Sequence, residues 1–342
     1  MRTLGILACL LCLAACDKAP EPPAEVPTAV DTRPWLKAEK HLAAALQTET
    51  DSRLRRLTAS ATGFSDAIDG LLSDTTEERL TTARQAWSHL YQNYNEAFVV
   101  LLCRATQSPV DLGRLERADS FPILPGYIDG LEQWPDSGIV NDMSLPLTRD
   151  ALLEQQGATL EGEASVGFQV IHFLLNGEPE HLRPAQALQP VTELTDDMLG
   201  ELADQPANRR RSYLQLVTEL LVEDLTLMAR PESAPLQVTA ECPVGAIRET
   251  VARLLRLEGL RDHTQVSQDF MDSNVRDAAG QGLQAGLAPW LVADGALSAW
   301  LSERLTHSNS LPDALPGIDA ENRVAELQTI HASLAATEKA LR

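Results

Sequence analysis

"EERLTTARQAWSHLYQNYNEAFVVLLCRAT", residues 77–106, sets the architecture. Leu80, Ala83, Trp87, Leu90, Tyr94, Ala97, Phe98 and Leu101 recur with a helical period, and neither Pro nor Gly interrupts them. Such a stripe is the buried face of a long amphipathic helix. Ser73-Asp74 breaks the chain before it, Thr75 and Thr76 offer N-caps, and Ser108-Pro109 closes it. Upstream, Trp35 to Leu72 carries the same pattern. Downstream, helices are predicted over Pro184–Leu202, Asn208–Met228, Cys242–Gly259, Ser267–Ala285, Pro289–His307 and Ala320–Leu341, set apart by Pro and Gly. "PLQVTAECP", residues 235–243, is the one short strand-like candidate. Only 4% of residues are aromatic and 44% are apolar, mostly Leu and Ala, which suits helix-on-helix packing. The reading is an all-α fold of two helical-bundle halves, 34–183 and 184–342, without a sheet.

One section resists the pattern. Residues 111–163 hold Pro122, Pro125, Pro135 and Pro146 with Gly126, Gly130, Gly138 and Gly157, and admit only short helices such as Thr148–Gln156. Irregular segments of this length inside a domain are usually functional or structurally special.

The N-terminal end reads as an export signal. Arg2 precedes an apolar run, Leu4–Ala15, that is too short for the ~20 residues a membrane span needs. Leu13-Ala14-Ala15-Cys16 has the form of a lipobox, so residues 1–15 are expected to leave and Cys16 to be lipidated. Residues 16–33, rich in Pro and Ala, are expected to be an extended tether. The expected location is periplasmic, lipid-anchored to the inner or outer membrane of a Gram-negative bacterium. The net charge of −21 repels phosphate backbones, which argues against a nucleic-acid partner. Cys9 and Cys12 leave with the signal. Cys103 and Cys242 remain, either as one disulfide or as two buried thiols.

"SVGFQVIHFLLNGEPEH", residues 165–181, carries the candidate site. Phe168, Val170, Ile171, Phe173, Leu174 and Leu175 make this helix apolar on most sides, so it is buried. Gln169, His172 and Asn176 fall at i, i+3 and i+7 and share one face. A buried polar group without a partner costs about 1–3 kcal/mol. The three must therefore meet an internal hydrogen-bond network, or a pocket for a small ligand or metal.

"DSFPILPGYIDGLEQWPDSGIVNDMSLPLTRDALLEQQG" followed by "SVGFQVIHFLLNG" resembles the imelysin family of bacterial envelope proteins, most sharply over Arg84–Gly177 and more weakly in "NRRRSYLQLVTELLVEDLTLM", residues 208–228. The resemblance implies two bundle-like halves with a site near their interface, an association with iron uptake through an envelope partner, and a catalogue label as peptidases. Its hallmark is Gly-x-His-x-x-Glu, a His and a carboxylate one turn apart, which suits iron or zinc. Here Gly167 matches the glycine, but Gln169 stands at the His position and His172 at the Glu position. Glu96 in "YNEAF" matches a family glutamate on the preceding long helix and could supply a carboxylate. The implied metal site is altered and weak. No His-Glu-x-x-His or Gly-x-Ser-x-Gly occurs, so a binding or accessory lipoprotein is favoured over a scaffold without a ligand, and both over a metallopeptidase.

Overall fold

The computed structural model describes residues 35–342 except 161, 180, 197, 231–240, 263–272, 293, 306–314 and 318–320. The expected signal, the tether and Cys16 lie outside the described residues, as do residues 235–240 of the strand-like candidate; residues 241–243 open a helix. The order is α1 (Trp35–Ser73), α2 (Glu77–Ala105), α3 (Pro109–Ala118), α4 (Pro125–Ile128), α5 (Arg149–Gln155), α6 (Phe168–Asn176), α7 (Pro206–Ala229), α8 (Glu241–Asp262), α9 (Ser273–Leu287), α10 (Ala296–Arg304) and α11 (Arg323–Leu341). The fold is all-α. Among the described residues no helix is long and apolar enough to cross a membrane.

The long helix forms as its pattern requires. Thr76 caps α2 by accepting from the Arg79 N–H at 3.2 Å, and Glu77 and Glu78 follow in its first turn, where carboxylates favour the N-terminal dipole. Its buried stripe packs on α1 to one side and on α8 and α9 to another, while α7 packs on α1, α3 and α6. Close approach of α9 depends on Gly282, where a Cβ would lie 2.4 Å from the Gln92 carbonyl oxygen of α2. Arg53 of α1 ties the three helices: it is 4% exposed and donates to the carbonyls of Glu96 at 2.7 Å and Ala285 at 3.0 Å.

Four sequence expectations need correction. Residues 111–118 are helical, because Ser108-Pro109 does more than close α2. The Ser108 hydroxyl accepts from the Asp111 N–H at 3.3 Å and Pro109 takes the first helical position, so the same pair starts α3. Among the described residues of 184–202 there is no α-helix, but a 3₁₀ turn over Ala185–Leu188 and, at the end, the start of another over Leu202–Asp204. Pro190 stops the first, and side chains of α7 replace the helical bonds. Arg210 takes the Ala187 carbonyl at 2.8 Å, Arg211 the Leu188 carbonyl at 2.8 Å, and Asn208 both backbone groups of Val191 at 2.9 Å. α10 is confined to Ala296–Arg304 because a turn occupies 288–290 and Gly295 caps the helix. Finally, a two-residue antiparallel ladder, β1 (Gly177–Glu178) with β2 (His181–Leu182), follows α6.

Candidate functional site

The site begins with the motif glycine. Gly167 caps α6 at φ +97°, in the region L side chains avoid. A Cβ there would sit 2.3 Å from the Arg117 carbonyl oxygen and 2.7 Å from that of Ala118. Glycine is therefore what lets the start of α6 press against the end of α3. Asp119, the C-cap of α3, is brought by this contact beside Gln169 in the first turn of α6.

Asp119 is the centre of a buried polar knot, with its side chain 2% exposed. Gln169 donates from Nε2 to Asp119 Oδ1 at 2.8 Å and to the Tyr91 hydroxyl at 3.1 Å. Tyr91 of α2 donates to Asp119 Oδ2 at 2.9 Å. Arg253, three turns into α8, completes an ion pair with Oδ2. Its guanidinium lies 4.6 Å from the Phe98 ring centroid and 5.7 Å from that of Tyr94. Burial pushes the Tyr91 and Tyr94 hydroxyls above their usual pKa, against the opposing pull of Arg253, so both stay neutral donors. The knot has one negative and one positive charge. The Gln169 carbonyl oxygen is buried without a hydrogen-bond partner.

Not all the predicted residues converge here. His172 lies one turn along α6 from Gln169, half-buried, with its ring 4.7 Å from the Trp87 ring. Asn176 spends its amide locally, donating to the His172 carbonyl at 3.0 Å. Glu96 is elsewhere. Nine residues beyond Trp87 at about 100° each is half a revolution, so it leaves α2 on the side opposite the Trp87–Tyr91 face. There it pairs with Arg53 at 3.2 Å and with Arg56, both of α1. Cys103, in the last turn of α2, and Cys242, in the first turn of α8, are joined as a disulfide with Cα atoms 5.5 Å apart.

Asp119, Tyr91 and Arg253 were not singled out from the sequence. Asp119 opens the stretch that carries the family resemblance, which is the one signal that could have found it. Tyr91 falls on the apolar face of α2, and Arg253 sits in an ordinary amphipathic run, "VARLLRLEG".

The residues present do not fit a first-row metal ion. Such an ion takes several convergent lone-pair donors, carboxylate, imidazole or thiolate. Among the described residues no group of three or more His, Cys, Asp or Glu side chains is placed to hold one. At the motif position the sole carboxylate is already bound by an amide NH₂, a phenol and a guanidinium.

A second buried carboxylate organises the irregular segment. Asp129 is 0% exposed and accepts from Arg183 at 2.8 Å and from Arg210 at 2.6 and 3.0 Å. Burial draws the Arg183 pKa down to about 10, with Asp129 opposing the shift. The neighbouring Arg209 donates to the carbonyls of Val140, Ile139, Asp142 and Leu145 at 2.7–3.0 Å. Three consecutive arginines of α7 thus satisfy backbone oxygens that no regular element would.

Comparison with known proteins gives a family match and similarity to solved structures. The family described as Imelysin matches residues 52–254, which span the Asp119 knot from α2 to Arg253. A solved structure from Parabacteroides distasonis, described with the words "iron-regulated protein A precursor", is 12% identical with a TM-score of 0.49, covering 89% of this chain and 94% of its own. No curated protein matches.

Proposed function

Because this chain belongs to the imelysin family, we propose that it is an accessory envelope lipoprotein of iron acquisition. In this reading it is held at a membrane by a lipid on Cys16 and works by binding or docking rather than by catalysis. Its motif position holds iron or zinc weakly or not at all. The observation that carries this is the Asp119 knot: Gln169 turns an NH₂ donor, not a ligand, toward the carboxylate. A cation entering there would have to displace Arg253 and would gain one anionic donor in a buried place, where the desolvation cost of a charge is several kcal/mol. A peptidase reading would need an activated water or nucleophile, and the knot offers neither a metal-ligand set nor a free general base.

Calorimetric titration with zinc and with ferrous iron tests the reading. The wild-type protein is expected to bind weakly or not at all, and Gln169→His with His172→Glu to gain at least about tenfold, roughly 1.4 kcal/mol. Tight binding by wild type, abolished by His172→Ala, would show a living metal site in altered form. No gain in the double variant would show that the position is not a metal site of the family type in this chain.

A further inference from the structure

We propose that the Asp119 knot is a guanidinium site, built to hold a planar organic cation and filled in this chain by its own Arg253. The inference rests on the proposed function above and says what the altered position takes in place of a metal ion.

The shape and chemistry of the walls carry it. The charge-bearing wall is a single carboxylate, held from two directions by Gln169 and Tyr91, so its geometry is set before the cation arrives. The other walls are aromatic faces and edges: Phe98 and Tyr94 lie within 5.7 Å of the cation, and Phe168 packs on both Tyr91 and Tyr94 with ring centroids 4.9 Å apart in each pair. Aromatic faces attract a weakly hydrated, delocalised cation, and guanidinium is the side-chain cation that stacks on them. They offer nothing to a divalent metal, which needs lone pairs at about 2 Å. The hydrogen-bonding inventory agrees. A guanidinium brings five N–H donors, and the cage supplies acceptors in the Asp119 carboxylate and in the Tyr94 hydroxyl, which Arg253 also reaches. Arg253 is 15% exposed on its side chain, so the cage can be reached from solvent once that side chain is shortened.

The test is chemical rescue. Arg253→Ala should unfold at a lower temperature than wild type. Guanidinium chloride at up to about 10 mM, far below denaturing concentrations, should recover part of the loss, saturating in the low-millimolar range. Sodium chloride and zinc chloride at matched concentrations should not, and wild type should not respond to guanidinium. Equal or better recovery with zinc would overturn the proposal in favour of a masked metal site. Recovery with none of them would overturn it in favour of a plain ion pair. A measurement on wild type keeps the test decisive if Arg253→Ala does not fold. One arginine side-chain signal in ¹⁵N spectra, lost in Arg253→Lys, should show slowed guanidinium rotation; free rotation of that signal would overturn the cage. These outcomes are separate from the metal titration. Tight zinc binding by wild type would sink the functional reading, whereas failed rescue with weak zinc binding would sink only the guanidinium site.

Discussion

Asp129→Ala is expected to lower stability by about 3–5 kcal/mol, the cost typical of removing one partner from a buried ion network. Asp129 is fully buried, and its two oxygens receive Arg183 and Arg210. Without it, two guanidiniums that already repel each other would face one another away from water. Neither can turn readily to solvent, because their side chains are 10% and 12% exposed and Arg210 is also tied to the Ala187 carbonyl. The effect reaches beyond the pair. Asp129 also accepts from the Gly130 N–H at 2.8 Å, in a turn so tight that a Cβ on Gly130 would lie 2.1 Å from the Pro135 carbonyl oxygen. Losing the carboxylate therefore releases the turn, the segment after β2 and the start of α7 together. Asp129→Asn keeps the shape but not the charge and should lose most of the same stability. Urea unfolding gives the number; a loss below about 1 kcal/mol, the level of an ordinary surface change, would contradict this account of the irregular segment.

Replacing both Cys103 and Cys242 by Ala should cost up to about 5 kcal/mol, the chain-entropy value for a closed loop of this size. The bond links residues 139 apart in sequence, and the Cα separation of 5.5 Å is that of an ordinary bridge. It fastens the first turn of α8 to the last turn of α2, and α8 is the helix that delivers Arg253 to Asp119. Loosening α8 should thus weaken the knot as well as the fold. Denaturant unfolding of the double variant against wild type, with thiol counting on the native protein, checks both parts. Two reactive thiols in native protein, or unchanged stability in the variant, would contradict the linkage.

The helices were legible where one physical signal dominated. α2 and α6 announce themselves because burial demands a 3.6 period and no breaker interrupts it. The segment 184–202 misled because its apolar spacing resembles a helix, while Pro190 and the reach of Asn208, Arg210 and Arg211 decide otherwise. Those bonds join parts of the chain whose proximity no local pattern encodes. The site divides the same way. Gly167, Gln169 and His172 were visible because they lie on one short helix with known spacing. Asp119 and Arg253 were not, since an ion pair between α3 and α8 leaves no mark in either local sequence. Glu96 shows the converse. A carboxylate placed by family likeness proves, by helix phase, to face α1 and serve Arg53 and Arg56.

The central claim is that Gln169, at the head of the polar line on α6, belongs to a charge-neutral knot and not to a bound metal. Crystals of the wild-type protein grown with excess zinc, with diffraction recorded at the zinc absorption edge, test it most directly. The account predicts the Arg253 guanidinium on Asp119 and no anomalous peak within ligand distance of Asp119, Gln169 or His172. A peak there, coordinated by Asp119 and His172 with Arg253 swung away, would contradict it.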